Sequence, residues 1–360
     1  MKKKILFICP YPINTVPGQR LKYEQYFSYF KKNNYDYDVK SFFNYKEYKI
    51  LYSKGNLSKK IFAVIKGYLR RLYTSFKLKN YDLIYVFLNV TPLGGSFFER
   101  VYRILSKKMI FDIDDLVYLN KYQKENKLAK YLRSSNKYFY LMKHSDHVIT
   151  CTSYLDSVAK KFNKNTTNIS STVNTKMYTP KKFNRSKKIV IGWTGSFSTL
   201  PYLNLIKKVI IEIQEIYKCD LHIISSKKEN LDFKNYKSII WKSKTEVADL
   251  KVIDIGLYPL PKEEWVKGKS GLKAIQFMSL GIPVIATDTQ INRKVILNNK
   301  TGILVNSEKE WFSALKKIIE NKKLRENMSR NSIYHVRKNF SVEVNKHKYL
   351  KILNNLMNNN

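Results

Sequence analysis

The stretch "EEWVKGKSGLKAIQFMSLGIPVIATD", residues 263–288, decides how the fold of this chain is interpreted. It contains Gly268, Lys269 and Ser270, the residue types that end a phosphate-binding P-loop. That loop needs a second glycine five residues before the Gly-Lys pair, and the residue at that position is Glu263. The spacing therefore excludes a P-loop, and a phosphate site in this stretch must be built in another way.

A strand, a helix and a second strand are predicted around this glycine and lysine. The run "VIDIGLYPLP" predicts a strand that ends near Tyr258, and "PVIATD" predicts the next buried strand. A helix is predicted from about Ser270, stopped by Gly281 and Pro283, with one side formed by Leu272, Ile275, Gln276 and Ser279. Its first turn offers free backbone N–H groups between two lysines, Lys269 and Lys273. This predicts an anion site; a solvated helix start in a lysine-rich chain is the alternative.

The overall charge indicates a negatively charged partner. The chain has 360 residues, enough for two domains, and 44% of them are apolar. Lys and Arg total 67 against 28 Asp and Glu, which gives a net charge of +39. Phosphate ligands, nucleic acid and an anionic membrane are the partners that such an excess favours.

The cysteines and the apolar segments indicate a cytoplasmic protein. Cys9, Cys151 and Cys219 lie in or beside apolar runs, which predicts buried free thiols in a reducing compartment. No pair of cysteines has metal-binding spacing, and no metal site is predicted. No apolar segment reaches 18 residues, so no membrane-spanning helix is expected.

Short apolar runs alternate with amphipathic ones along the whole chain, which predicts an α/β protein with two doubly wound parallel sheets. Residues 174–188 lack periodicity and are interpreted as a linker, and the chain after about 306 is predicted to be helical. Ligands bind such sheets beyond the carboxyl ends of the strands. The predicted strands are "KILFIC", "YDVKSFF", "DLIYVFL", "KMIFDI" and "HVITC", then "KIVIGW", "DLHIIS", "SIIW", "IDIGLY", "PVIAT" and "GILV".

The chain resembles glycosyltransferases of the GT-B fold, family 4 in particular, over nearly its whole length. The resemblance is strongest in "DIGLYPLPKEEWVKGKSGLKAIQFMSLGIPVIATD" and "NNKTGILV", and weaker in "PGQRLKYEQYF", "FDIDDL" and "IGWTGSFSTLPYL". It implies two Rossmann-like domains that face a central cleft. The acceptor-binding domain is expected at 1–175, the nucleotide-sugar-binding domain at 186–335, and a C-terminal helix at 336–360 that packs back on the N-domain.

The resemblance also implies an activity. The chain is expected to move a sugar from a nucleotide-sugar donor to a glycan or lipid-linked acceptor in bacterial-type surface polysaccharide synthesis. Retention at the anomeric carbon is implied, with no metal and no cofactor, since the nucleotide-sugar is a substrate. One alternative is a catalytically silent GT-B binding subunit. A nucleic-acid-binding protein is the other, but no RNA- or DNA-binding module is recognisable, and no nucleic acid partner is predicted.

Donor-binding residues are carried over from the family by position. Its Glu-x7-Glu acids correspond here to Gly268 and Gln276. Gln276 can still hydrogen-bond ribose hydroxyls, whereas the first role is absent or moved to the backbone of Lys269, Ser270 and Gly271. The family's Arg and Lys after the first C-domain strand are missing beside Gly195 and Ser196. Lys269 and Lys273 are therefore expected to bind the diphosphate.

In the N-domain the family's polar position after the fourth strand corresponds to Asp114, which is expected to act at the donor sugar. Gly18 matches a glycine that lets the backbone approach the diphosphate, although a simple turn glycine is the alternative. Arg20, Asn89 and Asp115 are expected on the acceptor side. Asp115 is also a candidate helix cap.

Residues 57–79 predict a basic amphipathic helix that binds an anionic membrane surface. Its apolar stripe is expected to pack on the sheet while the basic rim and exposed aromatics face lipid. The protein is thus expected at the inner face of the plasma membrane; solvated charges are the alternative. The stripe comprises Ile61, Ile65, Leu69, Leu72 and Phe76, widened by Phe62, Tyr68 and Tyr73 and bordered by Lys59, Lys60, Lys66, Arg70 and Arg71.

Overall fold

The structure of the chain is a computed structural model. It describes residues 2–51, 53, 55–119, 134–181, 188–228, 231–233 and 235–357. The chain forms two compact units. Unit 1 comprises Met1–Ser171, Gly268–Ser270 and Lys346–Asn360, and unit 2 comprises Thr172–Lys267 and Gly271–Asn345. The predicted domain boundaries at 175, 186 and 336 stay predictions, and residues 182–187 of the predicted linker lie outside the described residues.

The sheet of unit 1 has six parallel strands in the order β2-β1-β3-β4-β5-β6. β3 and β4 are buried at every position, as expected for strands covered by helices on both faces. The sequence predicted the first five strands but not the short sixth. The strands are β1 Lys3–Cys9, β2 Tyr35–Ser41, β3 Leu83–Phe87, β4 Met109–Ile113, β5 His147–Thr150 and β6 Thr166–Asn168.

Helices cover this sheet, and part of the C-terminal helix packs with them. Tyr349, on the part of the last helix that belongs to unit 1, packs its ring 4.6 Å from that of Tyr26. This confirms the expectation that the C-terminal helix packs on the N-terminal fold. The helices are α1 Pro17–Arg20, α2 Phe27–Lys32, α3 Tyr45–Leu51, α4 Leu57–Ser75, α5 Phe97–Leu105, α6 Asn136–His144 and α7 Ser153–Lys160, with short 3-10 turns at Glu24–Tyr26, Leu78–Asn80 and Val117–Leu119.

Helix α4 is oriented opposite to the prediction. The face against the protein consists of small or polar residues, and a Cβ on Gly67 would lie 2.3 Å from the ring of Phe42, so only glycine permits this approach. Arg71 is fully buried and donates hydrogen bonds to three backbone carbonyls, while Arg70 pairs with Glu47. The expectation that the apolar stripe packs on the sheet was therefore wrong, and Arg70 and Arg71 do not form its rim.

The apolar stripe of α4 faces solvent instead. Ile61 is 51% exposed, Leu69 60% and Phe76, just beyond the helix, 78%. Arg71 binds the carbonyls of Cys9 at the end of β1, Lys40 in β2 and Val90 in the loop after β3. These bonds fix the helix in this rotation, because a buried guanidinium needs hydrogen-bond partners. The exposed apolar residues of this segment are Leu57, Ile61, Phe62, Ile65, Leu69, Leu72, Tyr73 and Phe76, called here the α4 apolar row.

The sheet of unit 2 also has six parallel strands, in the order β12-β11-β10-β7-β8-β9. Counted from β7, this is the strand order of the dinucleotide-binding doubly wound fold. The order reverses between β7 and β10, and such a reversal is where this fold binds its ligands. All six strands were predicted, and they are β7 Val190–Gly195, β8 Asp220–Ser225, β9 Lys237–Ile240, β10 Ile255–Tyr258, β11 Val284–Thr287 and β12 Gly302–Val305.

The helices of unit 2 enclose an apolar core built around Trp193, Leu257 and Trp311. Tyr178, in the predicted linker, is only 1% exposed and packs inside this unit. The helices are α8 Lys207–Tyr217, α9 Glu246–Lys251, α10 Leu272–Ser279, α11 Gln290–Val295, α12 Glu308–Glu320, α13 Lys322–Asn339 and α14 Val342–Met357, whose last twelve residues belong to unit 1, with 3-10 segments at Phe197–Ile206 and Glu264–Gly268.

Candidate active site

In unit 2, Lys273 lies at the point where the strand order reverses. Its ammonium lies 4.5 Å from the ring centre of Trp193 on β7 and 5.8 Å from that of Tyr258 on β10. It also donates a hydrogen bond to Thr199 Oγ1 at 3.0 Å. The rings and the hydroxyl are uncharged, so these three contacts place the ammonium without supplying an opposing charge of their own. The arrangement presents a cation at the ligand-binding edge of the sheet.

Gly195 makes room for this cation. Trp193 and Gly195 are two residues apart on β7 and therefore share a face of the strand. A Cβ at position 195 would lie 2.4 Å from Lys273 Nζ and 2.5 Å from the indole of Trp193. The glycine is thus needed for the lysine to reach the indole. Its neighbour Ser196 is exposed and hydrogen-bonds Ser198 Oγ at 2.9 Å within the same loop.

Helix α10 begins at Leu272, two residues later than predicted, because Gly271 is its N-cap. Gly271 has φ +71°, and a Cβ there would also lie 2.8 Å from Val295. Both the backbone angle and the close approach require glycine. The first backbone N–H groups of α10 and Lys273 in its first turn make this helix start suited to an anion.

Gln276 is buried in a polar network. It is 4% exposed, and its amide nitrogen donates to Glu246 Oε1 at 3.0 Å and lies 2.9 Å from the Tyr178 hydroxyl. Glu246 also accepts hydrogen bonds from Tyr178 and from the Trp241 indole. In this arrangement the amide nitrogen serves the protein interior, so the ribose contact expected of Gln276 stays a prediction.

The three residues before Gly271 belong to unit 1. Lys269 Nζ forms an ion pair with Asp115 at 2.7 Å, and Ser270 Oγ hydrogen-bonds Ser171 Oγ at 2.8 Å. Gly268 accepts a weak hydrogen bond from the Cys151 thiol at 3.4 Å. A Cβ on Gly268 would lie 2.6 Å from the side chain of Leu116, so the glycine at this position serves packing.

Asp114 lies at the end of β4 beside Gly18. A Cβ on Gly18 would lie 3.4 Å from Asp114 Oδ2, so the structure brings these two predicted residues together. Burial raises the pKa of Asp114 to about 6, and the negative charge of Asp115 contributes to the rise. Oδ1 of Asp114 is buried and has no hydrogen-bond partner among the described residues. A carboxylate held in this way can change its protonation state near neutral pH.

A buried ion pair lies behind Asp114. Lys22 Nζ is 3.0 Å from Asp112 Oδ1, and both side chains are 0% exposed. Asp112 also accepts a hydrogen bond from the Tyr85 hydroxyl. Lys22 lowers the pKa of Asp114, although burial outweighs that effect. The Asp-x-Asp pattern of residues 112–114 thus divides into an interior ion pair and a half-buried carboxylate.

Strained backbone marks the same edge of unit 1. Asn14, Leu88 and Asp115 have φ of +64°, +64° and +59°, and they follow β1, β3 and β4 respectively. Non-glycine residues seldom adopt this conformation, and it is concentrated at functional sites. Sequence patterns gave no sign of it at Leu88, because the hydrophobic side chain is typical of a strand.

The residues expected on the acceptor side surround this edge. Arg20 ends helix α1 and is half-buried, while Asn89 is 8% exposed and its Oδ1 has no hydrogen-bond partner among the described residues. The loop after β3 is held rigidly, since Lys137 donates to the carbonyls of Thr91 and Leu93. Their contact with an acceptor stays a prediction.

Among the residues that the structure describes, no group of three or more His, Cys, Asp or Glu is arranged to hold a metal ion. Within the same residues, no helix is long and apolar enough to cross a bilayer. Cys9, Cys151 and Cys219 are buried and free, as predicted.

Sequence reasoning missed several contributors to the site. Trp193 lies in the predicted strand "KIVIGW" without an assigned role, although its spacing from Gly195 on one strand face was visible. Lys22 and Tyr178 carry no pattern of their own, because their partners Asp112 and Glu246 are distant in the chain.

Residues 267–334 match the sequence model of the family described as Glycosyl transferases group 1. This region contains Lys269, Lys273 and Gln276. Comparison with curated protein sequences finds no match.

Solved structures with the same fold cover nearly the whole chain. A glycosyltransferase from Rickettsia africae ESF-5 has a TM-score of 0.70 at 14% identity, with 100% of each chain covered. Sucrose-phosphate synthase from Thermosynechococcus elongatus has a TM-score of 0.69 at 12% identity, with 99% of this chain and 100% of that chain covered. HepE from Anabaena, in complex with UDP and glucose, has a TM-score of 0.64 at 12% identity, with 98% and 100% covered. These similarities confirm the predicted GT-B fold.

Proposed function

We propose that this chain, a glycosyltransferase with the GT-B fold, transfers a sugar from a nucleotide-diphosphate sugar to a lipid-linked or glycan acceptor at an anionic membrane surface. The proposed role is surface polysaccharide synthesis of the bacterial type. Transfer is proposed to retain the anomeric configuration and to need neither metal nor cofactor. The observation that carries the donor assignment is Lys273, held on two ring faces where the strand order of unit 2 reverses.

The proposal assigns the donor diphosphate to unit 2. A departing nucleoside diphosphate carries developing negative charge, which a preorganised cation and helix N–H groups stabilise. Lys273 and the start of α10 supply both without a metal. The complex of HepE with UDP supports a nucleoside diphosphate as the ligand class. Lys269 is assigned a secondary role, because its charge is already compensated by Asp115.

Acceptor binding is assigned to unit 1, and a role in the transfer reaction is assigned to Asp114 in that unit. In the proposed reaction Asp114 orients a sugar hydroxyl or stabilises positive charge at the anomeric carbon. Both roles need the ionised carboxylate. With a pKa of about 6, Asp114 is mostly ionised at neutral pH and becomes protonated below it. Turnover is therefore expected to fall as the pH is lowered through about 6.

The membrane assignment follows from the α4 apolar row. The helix has 19 residues and therefore presents a row about 28 Å long. Lys66 lies over Phe62 at 4.5 Å and Lys77 over Tyr73 at 4.3 Å, so cations and exposed aromatics alternate along the segment. Apolar residues with a basic fringe suit the boundary of an anionic bilayer better than a second protein surface. A lipid-linked acceptor would be reached there.

Donor binding is tested by a thermal-shift panel of UDP, GDP, ADP and CMP and their sugars. A bound ligand raises the melting temperature by mass action, so one base series should stabilise the protein more than the others. Turnover with the matching sugar should survive EDTA, and NMR of the product should show a retained anomeric configuration. A chain that no nucleotide stabilises would contradict the donor assignment.

Membrane binding is tested by sedimentation with neutral and anionic vesicles at low and high salt. Binding should require anionic lipid and weaken with salt, because each basic residue near the surface contributes about 1 kcal/mol. Changing Ile61, Ile65 and Leu69 to Ser should abolish binding to anionic vesicles. Changing Lys59, Lys66 and Lys77 to Gln should weaken that binding. The exposed Ile216 on α8 of unit 2 provides the control, Ile216→Ser, which should bind as wild type. If the wild-type protein stays in the supernatant with anionic vesicles at low salt, the membrane assignment is contradicted and only a soluble acceptor is left.

A catalytically silent binding subunit remains the second candidate. It is favoured by the glycine at position 268 and by the engagement of Gln276 with Glu246, which leave the family's two acids without replacement. Donor binding without hydrolysis or transfer of the sugar would identify it.

A further inference from the structure

We infer that Trp193 is a positioning residue, whose buried indole face fixes the Lys273 ammonium where it binds the donor diphosphate. The inference rests on the proposed function and adds a residue that no family pattern assigns. Trp193 is 0% exposed and would not touch the donor itself. It acts only through Lys273, whose ammonium lies 4.5 Å from the ring centre.

The chemistry of the indole supports this role over simple core packing. Trp193 Nε1 is buried without a hydrogen-bond partner among the described residues. A buried unpaired donor is unfavourable, and a phenylalanine would fill an apolar core without one. Indole has the strongest face for a cation among the aromatic side chains. The residue type at this position is thus explained by the ammonium rather than by the core.

The geometry of β7 supports the same role independently. Gly195 leaves open the volume into which both the ammonium and the benzo edge of the indole project. Thr199 then fixes the remaining freedom of the ammonium with a hydrogen bond of 3.0 Å. A lysine side chain has several rotatable bonds, and holding it before the ligand arrives reduces the entropy that binding must overcome.

The inference predicts coupling between the two side chains. Isothermal titration with UDP, GDP, ADP and pyrophosphate would compare wild type, Trp193→Leu, Lys273→Ala and the double variant. Trp193→Leu should weaken diphosphate binding about tenfold, because a partly desolvated cation–π contact has that order of strength. The double variant should bind no more weakly than Lys273→Ala alone, since the indole acts through the lysine. Trp193→Phe, which keeps a ring face, should retain most of the affinity.

A structural role is separated by a matched control. Trp311 is 4% exposed in the same core, so Trp311→Leu should lower the melting temperature comparably while leaving diphosphate affinity unchanged. If Trp193→Leu fails to fold, Gly195→Ala disturbs the same contact without removing the indole, because its Cβ would lie 2.4 Å from Lys273 Nζ and 2.5 Å from the indole, and it should produce a similar loss. Indole fluorescence adds a readout without ligand. Introducing Lys273→Ala into the wild-type chain should change the tryptophan emission spectrum. Introducing it into the Trp193→Phe variant should leave the spectrum of that variant unchanged.

The outcomes distinguish the inference from the proposed function. Additive losses in the double variant, or full affinity in Trp193→Leu, would overturn the role of Trp193 and leave Lys273 in place. Full affinity in Lys273→Ala would overturn the donor assignment to Lys273, and the role of Trp193 with it. Wild-type protein that binds none of the four probes would overturn both.

Discussion

Lys269 precedes helix α10 and Lys273 lies in its first turn, yet different kinds of contact hold the two ammonium groups. Lys269 is paired with a carboxylate, Asp115, at 2.7 Å in unit 1. Lys273 is held in unit 2 by two ring faces and a hydroxyl. An ion pair fixes a side chain by compensating its charge, whereas ring faces fix it without an opposing formal charge.

The comparison extends to the surroundings of each lysine. The edge of unit 1 combines Asp114 and Asp115 with strained backbone and a buried Lys22–Asp112 pair. Burial and the charge of Asp115 raise the pKa of Asp114 to about 6. Lys273 in unit 2 contacts an indole, a phenol and a hydroxyl. We therefore expect chemistry and pH dependence to depend on unit 1, and diphosphate affinity to depend mainly on unit 2.

The largest expected effect is on turnover from a change in unit 1. Asp114→Asn should lower kcat by about 100-fold or more, because the amide cannot stabilise positive charge. The Kd for the donor nucleotide should change less than threefold by calorimetry, since Asp114 is assigned to the sugar. Asp36→Asn, on the outer strand β2, is the control and should keep wild-type kinetics. Unchanged kcat in Asp114→Asn would remove Asp114 from the mechanism.

The next effect compares the two lysines directly. Lys273→Ala should weaken diphosphate binding by about 10- to 100-fold, the usual loss of a charge-assisted contact. Lys269→Ala should cost only a few-fold, because Lys269 must first leave Asp115. Nucleoside binding should be unaffected in both, and the exposed Lys208→Ala serves as the charge-matched control in unit 2. A larger loss in Lys269→Ala than in Lys273→Ala would reverse the comparison.

The comparison also shows how far the sequence alone determines the molecule. All eleven predicted runs form parallel strands. They could be predicted because a buried strand is recognisable from the apolar residues of its own segment, without knowledge of its partners. The contacts of the Trp193 and Tyr258 rings with Lys273 were not predicted. They arise only when β7 and β10 pair, which brings the two rings to the same lysine. The rotation of α4 was predicted wrongly for the same reason. Arg71 and Gly67 outweigh the apolar stripe, and their partners lie on distant loops.

A smaller effect tests the influence of Asp115 on both neighbours. Asp115→Asn releases Lys269 and removes a negative charge that raises the pKa of Asp114. Pyrophosphate affinity should therefore rise a few-fold, and the acid limb of the kcat/KM profile should move below about pH 6. A limb that stays in place would mean that burial alone sets the pKa.

The smallest effect concerns stability and has opposite signs at two carboxylates. The raised pKa of Asp114, about 6, means that the fold disfavours the ionised form. Asp114→Asn removes that charge and should stabilise the protein at pH 7.5 by about 1 kcal/mol, after a discount for its partial exposure. The gain should shrink as the pH falls below 6 and vanish only below about pH 3, where the carboxyl is protonated in the unfolded state as well.

Asp38 provides the opposite case, because the Tyr81 hydroxyl at 2.7 Å holds the pKa of Asp38 below its usual value. Its ionised form is favoured in the fold, so Asp38→Asn should lower the melting temperature slightly at pH 7.5 and have little effect once the pH is below that pKa. Thermal unfolding of both variants from about pH 2.5 to 8 measures the two signs together, because this range extends below the ordinary pKa of an aspartate. A loss of stability in Asp114→Asn at pH 7.5 would show that the carboxylate has stabilising contacts in unit 1. The carboxylates there would then be structural partners of Lys22 and Lys269 rather than groups maintained for reaction.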